Sequence, residues 1–170
     1  MTRICVVGAG AWGTTIANLI AERIPVVLWV HGQDTLASMR EFHENKIYLP
    51  GIPLQESIEL TDDLVSAWRS SDAVILATPT QKLRSTLRKL VSDLRNPHMR
   101  ILNLSKGLEL ETHMRVSQLI CEDLELTDYR FFAALSGPNF APEIARKMPA
   151  ATVVASRGPA TRLFFQELLS

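Results

Sequence analysis

The glycine pattern near the N-terminus constrains the fold of this chain more than any other feature. Gly8, Gly10 and Gly13 directly follow a short apolar run, Ile4–Val7, and open an amphipathic run, Thr14–Arg23. Apolar residues recur in the second run at the i, i+3, i+4 spacing of a helix. The pattern therefore predicts a strand, a glycine turn and a helix.

In such a unit each glycine has its own task. Gly8 allows a sharp turn, Gly10 lets the backbone approach a pyrophosphate, and Gly13 lets the helix pack closely on the strand. The phosphates would rest on the free N–H groups at the start of the helix, which is the positive end of its dipole. The position between strand and helix favours a dinucleotide site over the alternative, a turn with packing duties only.

Strand-like and helix-like segments alternate along the rest of the chain. Continuous apolar runs predict buried strands at residues 25–30, 73–77, 101–104, 131–135 and 151–155. Helices are predicted between them, and the last begins at Pro159 with Leu163, Phe164 and Leu168 on its apolar side. The stretch that ends at Ile58–Leu60 is predicted to be loop. This alternation predicts an α/β fold that is Rossmann-like and doubly wound, with a mainly parallel sheet and helices on both faces.

Length and composition limit the classes of protein to which the chain can belong. With 170 residues it is long enough for one well-buried domain, and we assign residues 1–170 to a single dinucleotide-binding domain. Its 18 basic and 18 acidic residues balance, which argues against a nucleic-acid partner. Apolar runs are too short for an integral membrane segment, and two isolated cysteines suit a reduced, cytoplasmic protein.

Two other kinds of site receive little support. The four histidines lie far apart and neither cysteine has a partner at metal-ligand spacing, so no metal is expected. A helix is predicted from Gln81 to Leu94, and basic residues cluster on it, namely Lys82, Arg84, Arg88, Lys89 and Arg95. Because no aromatic residues are interleaved with them, we interpret them as a solvated helix face rather than a nucleic-acid surface.

The end of the second predicted strand bears on the choice of cofactor. A carboxylate at this point normally binds the adenosine ribose and selects NAD over NADP. Here the strand is followed by His31, and the nearest carboxylate is Asp34. A histidine does not repel a 2′-phosphate, so we expect NADP to be tolerated and leave a preference for it open. The alternative is a surface histidine that touches no ligand.

Three segments directly follow predicted strands: the glycine turn, Thr78–Thr80 with Pro79 at its centre, and Ser105–Gly107. Ligands of doubly wound sheets bind outside the carboxyl ends of the strands, so these segments are expected to converge. Lys106 is the charged residue of greatest interest. A cation there can hold a substrate phosphate or carboxylate, or polarise a carbonyl oxygen during hydride transfer. The alternative is an ordinary solvated lysine.

Four motifs together resemble a known family. Gly8–Thr14, Tyr48–Gly51, Ser105–Glu109 and Ser136–Ala141 resemble, in the same order, motifs of the bacterial NAD(P)-dependent glycerol-3-phosphate dehydrogenases. The resemblance implies interconversion of dihydroxyacetone phosphate and sn-glycerol 3-phosphate for phospholipid synthesis, by a homodimer. It also implies an all-helical domain with the general acid/base lysine beyond Ser170, so residues 1–170 alone are predicted to be inactive.

The resemblance also assigns site residues. It implies Ala11, Trp12, His31, Lys106 and Ala141 at the cofactor, where the glycine pattern and the strand ends already predict Gly8, Gly10, Gly13 and Pro79. Those implied at the substrate are Lys106, Gly137 and Asn139, and Lys106 would act by electrostatic positioning. Asn139 departs from the serine or threonine that is usual in the family, and an amide is longer than a hydroxyl.

Two other functions compete with this interpretation. One is a related reductase of small hydroxy acids, similar to ketopantoate reductase, which shares the fold and a lysine but lacks the motifs of Ser105–Glu109 and Ser136–Ala141. The other is a non-catalytic module that binds NAD(P)H. Both motifs favour the dehydrogenase.

Overall fold

The computed structural model describes residues 2–90, 98–125 and 128–170. Its strands are β1 (Ile4–Val7), β2 (Val26–Trp29), β3 (Ile58–Thr61), β4 (Ala73–Leu76), β5 (Arg100–Asn103), β6 (Phe132–Ser136) and β7 (Val153–Ser156). Its α-helices are α1 (Ala11–Ala21), α2 (Gln33–Phe42), α3 (Leu64–Arg69), α4 (Thr80–Leu87), α5 (Val116–Asp123), α6 (Ala141–Ala145) and α7 (Pro159–Leu169).

The strands form one sheet in the order β3-β2-β1-β4-β5-β6-β7. All neighbouring strands run parallel except β6 and β7, which are antiparallel. The chain builds one half of the sheet outward from β1 and then returns to build the other half from β4. The strand order therefore reverses between β1 and β4, and this crevice is where doubly wound sheets bind ligands.

Helices cover both faces of the sheet, because the side chains of each buried strand alternate between two apolar layers. In β1, Ile4 and Val6 pack into a cluster with residues of α1, α2 and α7, whereas Cys5 and Val7 pack into a cluster with residues of α3, α4 and α5. Strands buried on both faces are continuous apolar runs, as the sequence indicates. The predicted fold class is confirmed.

Three details of the sequence prediction were wrong. The stretch expected to be loop contains β3, which pairs with β2 at the edge of the sheet. In α7 the buried aromatic residue is Phe165, whereas Leu163 is exposed. In the helix expected from Gln81, the described part ends at Leu87, and residues 91–97 of that prediction lie outside the described residues.

Candidate functional site

Two of the three glycines in the first turn are required by contacts within the protein. Gly8 has a φ of +115°, and a Cβ atom there would lie 2.9 Å from the carbonyl oxygen of Ala77. A Cβ atom on Gly13 would lie 1.9 Å from the carbonyl oxygen of Gly8. These glycines let β1 turn sharply and let α1 and β4 approach the turn.

Gly10 has no such reason to be glycine. Its φ is −72°, which any residue adopts, and a Cβ atom there would meet no atom within 4 Å. It is the N-cap residue of α1, and no side chain caps this helix in the described part of the chain. The first N–H groups of a helix have no partner within it, so this end is suited to bind an anion.

The start of α1 opens into a cavity of about 630 Å³, which we call the main groove. The glycine turn, the end of β2, the end of β4 and one side of α4 line it. Among the described residues that line it, the charged or titratable ones are His31, Tyr48, Lys82 and Lys89, and none is a carboxylate. The main groove is therefore suited to an anionic ligand.

At the end of β2, basic and aromatic side chains lie together. The ring centroids of Trp29 and His31 are 5.6 Å apart, and the Nζ atom of Lys89 lies 5.5 Å from the centroid of the Trp29 ring. Asp34 lies in the first turn of α2 and is not among the lining residues. Lys82 and Lys89 are exposed, as the interpretation of a solvated helix face requires, and both also line the main groove.

A second pocket of about 300 Å³ adjoins the main groove and shares Ala11 and Trp12 with it. Lys106, Asn139 and Ala141 also line it. The second pocket thus brings the ends of β5 and β6 to the start of α1.

Hydrogen bonds tie the strand ends together. The Thr78 hydroxyl donates to the carbonyl oxygen of Val7 over 3.0 Å, and the Ser105 hydroxyl donates to the carbonyl oxygen of Thr78. The Thr80 hydroxyl donates to the carbonyl oxygen of Lys106 over 2.7 Å. The predicted convergence of the three segments is confirmed.

Asn139 presents an unusual polar group in the second pocket. Both its Nδ2 and Oδ1 atoms are buried and have no hydrogen-bond partner among the described residues. Gly137 lines neither cavity. It has a φ of +147°, and a Cβ atom there would lie 2.6 Å from the carbonyl oxygen of Ala151. Gly137 therefore shapes the turn that carries Asn139.

Comparison with known proteins shows the family. Residues 3–161 match the sequence model described as the N-terminus of NAD-dependent glycerol-3-phosphate dehydrogenase. The chain belongs to this family.

Individual relatives agree with that assignment. The chain is 40% identical over 169 residues to a glycerol-3-phosphate dehydrogenase [NAD(P)+] of Geobacter sulfurreducens, which covers 99% of this chain and 50% of the relative. It is 39% identical over 170 residues to the one of Thermobifida fusca, with 99% and 50% covered. The crystal structure of glycerol-3-phosphate dehydrogenase from Coxiella burnetii superposes with a TM-score of 0.88 at 25% identity, and covers 99% of this chain and 51% of that one. The chain spans about half the length of these relatives.

In this member of the family, the predicted site residues fall into three groups. Those that line the main groove are Gly8, Gly10, Ala11, Trp12, His31 and Pro79. Those that line the second pocket include Lys106, Asn139 and Ala141. Gly13 and Gly137 line neither, and they act through packing. The ligand contacts assigned to these residues stay predictions.

Asn45 is a site residue that the sequence analysis missed. It is fully buried, and its Nδ2 atom donates to the carbonyl oxygen of Ala9 and to the hydroxyl of Thr14, each over 2.8 Å. Its Oδ1 atom accepts from the backbone N–H of Tyr48, which lines the main groove. Asn45 therefore fixes the glycine turn and Tyr48 together, and the only sequence signal was its place three residues before a family motif.

Arg84 is a second missed residue, because it was assigned to the solvated face. Its guanidinium pairs with Glu109, the last residue of the Ser105–Glu109 motif. This pairing, a hydrogen bond from Thr112 and the charge of Arg88 lower the pKa of Glu109 from 4.5 to about 2. Glu109 is therefore ionised at neutral pH.

Two other kinds of site are absent from the described residues. Within the described residues, no three histidine, cysteine or acidic side chains are grouped so that they could hold a metal ion. No helix in that part of the chain has the length and apolar character needed to cross a bilayer.

Proposed function

We propose that this domain binds NAD(P)H in the main groove. Gly10, Ala11 and Trp12 would hold the pyrophosphate at the start of α1, and His31 would contact the adenosine ribose. The observation that carries the proposal is the open space at Gly10, since no atom of the described residues requires glycine there. The absence of carboxylates from the lining of the main groove supports it.

We propose further that the full-length protein reduces dihydroxyacetone phosphate to sn-glycerol 3-phosphate, and so feeds phospholipid synthesis. The nicotinamide would supply the hydride. The Lys106 ammonium in the second pocket would hold the substrate phosphate or stabilise charge on the carbonyl oxygen, and the Asn139 amide would hydrogen-bond the substrate. The relatives from Geobacter sulfurreducens and Thermobifida fusca are glycerol-3-phosphate dehydrogenases [NAD(P)+], which supports this substrate class.

Domain organisation and assembly complete the proposal. Residues 1–170 would form the cofactor domain, and a helical domain would carry the general acid/base lysine. The relatives have about twice the length of this chain, which gives room for such a domain in them. The whole protein would be a cytoplasmic homodimer, as the sequence resemblance implies, and light scattering after size-exclusion chromatography would measure its mass.

Replacement of Lys106 by alanine in the full-length protein tests the substrate role. Removal of a charge-assisted hydrogen bond should cost about 1.5–3 kcal/mol, or roughly 10- to 150-fold in kcat/KM for dihydroxyacetone phosphate. The melting temperature should stay the same because Lys106 is exposed. Lys46→Ala is the matched control, since Lys46 is an exposed lysine that lies over the Phe42 ring and lines neither cavity.

Three outcomes are distinguishable. Loss of kcat/KM in Lys106→Ala alone would support the proposed role. Equal kcat/KM in Lys106→Ala and Lys46→Ala would indicate that Lys106 is an ordinary solvated lysine with no role at the substrate. NADPH binding by a full-length protein without turnover would favour the non-catalytic module.

A further inference from the structure

The segment that follows Lys106 lies against one side of α4. The Thr80 hydroxyl donates to the backbone carbonyl of Lys106 over 2.7 Å. The Gln81 amide bonds the backbone at two points, since Nε2 donates to the carbonyl oxygen of Leu108 over 2.8 Å and Oε1 accepts from the N–H of Leu110 over 3.0 Å. One turn of helix thus holds three backbone positions of this segment.

Arg84 completes these contacts with a two-pronged ion pair to Glu109. Its Nε atom donates to Oε1 over 2.8 Å and its Nη2 atom donates to Oε2 over 2.9 Å. The side chains of Arg84 and Glu109 are only 15% and 10% exposed. A fork of this kind fixes direction as well as distance, which a lysine cannot do.

The opposite side of the Arg84 guanidinium is also held. Its Nη1 atom lies 3.3 Å from the Glu122 carboxylate and 3.2 Å from the Asp123 carboxylate, both in α5. Arg84 therefore connects α4, α5 and the segment after Lys106. Because the contacts with α5 fix the orientation of the Arg84 guanidinium, the Glu109 carboxylate can form the two-pronged ion pair in only one position.

The backbone between Lys106 and Glu109 needs such an anchor. Lys106, Gly107 and Leu108 are exposed, and Gly107 has a φ of +89° with open space around its Cβ position. Glycine is the most permissive residue for backbone conformation. Side-chain packing therefore contributes little to the position of Lys106, and the contacts with α4 restrict it.

We propose that Arg84 and Glu109 are positioning residues that hold Lys106 at the second pocket. This inference rests on the proposed function, because it assumes that Lys106 contacts the substrate. If the ion pair is broken, the segment spends only a fraction of its time in the competent arrangement, and the apparent affinity for substrate falls by that fraction. The main groove does not include Arg84 or Glu109, so NADPH affinity should change little.

The test uses the full-length protein with three variants. Glu109→Gln keeps the shape of the side chain and removes its charge, and Arg84→Lys keeps the charge and removes the fork. Arg130→Ala is the matched control, because Arg130 forms a two-pronged ion pair with Asp128 and lines neither cavity. For each variant we would measure KM and kcat for dihydroxyacetone phosphate, the Kd of NADPH, and amide hydrogen exchange of residues 105–111.

We expect faster exchange in residues 105–111 and a KM raised roughly 10-fold or more in Glu109→Gln and Arg84→Lys. The Kd of NADPH should stay within about threefold, and Arg130→Ala should resemble the wild type, because its ion pair with Asp128 is exposed. A purely structural role would instead lower the amount of folded protein and leave KM unchanged. That result would overturn the proposal.

Two further outcomes separate this inference from the proposed function. Unchanged hydrogen exchange in both variants would show that the ion pair does not hold the segment, whatever the kinetics. A wild-type protein that does not reduce dihydroxyacetone phosphate would refute the proposed function and with it the substrate role, while the exchange data would still report whether the pair orders the segment.

Discussion

A pair of glycine substitutions separates folding from cofactor binding within a single turn. Gly13→Ala would place its Cβ atom 1.9 Å from the Gly8 carbonyl oxygen, although Cβ atoms essentially never approach other atoms within 3.0 Å. The helix and the turn must move apart by about 1 Å, and both contacting groups belong to the backbone. Overpacking usually lowers the free energy of unfolding by about 1–3 kcal/mol, and we expect Gly13→Ala to lower it by about 3 kcal/mol. For a domain of this size, that cost lowers Tm by about 6–12 °C.

Gly10→Ala is the matched partner, because the same added methyl group meets no protein atom. Its Tm should fall by only about 2–4 °C, because the change costs about 1 kcal/mol at most, the loss expected when alanine replaces a better N-cap residue. NADPH should bind at least about tenfold more weakly, because the methyl group occupies the space where the pyrophosphate approaches. Thermal unfolding and fluorescence titration of residues 1–170 provide both numbers. The reasoning is refuted if Gly13→Ala melts like the wild type or if Gly10→Ala binds NADPH normally.

The remaining predictions concern the cofactor, the acid/base group and pH. NADPH should bind at least as well as NADH because His31 replaces the usual carboxylate, and a preference for NADH above about tenfold in parallel titrations would contradict this. Residues 1–170 alone should show no turnover, because a general acid raises the rate by about 100- to 10,000-fold and is predicted to lie beyond Ser170. A rate within about tenfold of that of the full-length protein would show that the general acid lies within residues 1–170. The ion pair lowers the pKa of Glu109 to about 2, so its contribution to stability is full above pH 4.5 and is lost as pH falls towards 2. Urea unfolding of wild type and Glu109→Gln should therefore differ at pH 7 and converge only as the pH approaches 2.

Local patterns predicted the interior of the fold and failed at its edges. The central strands are buried on both faces, and a continuous apolar run is a strong signal for that environment. Strand β3 is a four-residue edge strand with an exposed glutamate at Glu59. It is a strand because it pairs with β2, and its own sequence has no continuous apolar run that would predict this. In α7, Leu163 and Phe165 are both apolar, and only the docked position of the helix decides that Phe165 is buried.

The site shows the same division between local and distant information. The glycine turn and the residues after each strand were found because a parallel sheet brings such positions to one edge. The partnership of Arg84 with Glu109 was not found, because 25 residues separate them and their contact depends on how α4 crosses from β4 to β5. Asn45 was missed for a similar reason, since its partners Ala9 and Thr14 lie in another part of the chain.

The Asn139 amide has no hydrogen-bond partner in the part of the chain that the structure describes, and this has a consequence for selectivity among ligands. A buried donor and acceptor without partners carry a desolvation cost in the free protein, of about 1–3 kcal/mol for each group. A small molecule with a matching hydroxyl relieves that cost, whereas an analogue with a methyl group in its place leaves the cost in force. The second pocket should therefore reject deoxy analogues of its ligand more strongly than shape alone would require. The buried Asn139 side chain would then discriminate between ligands of nearly equal size by whether they carry this hydroxyl.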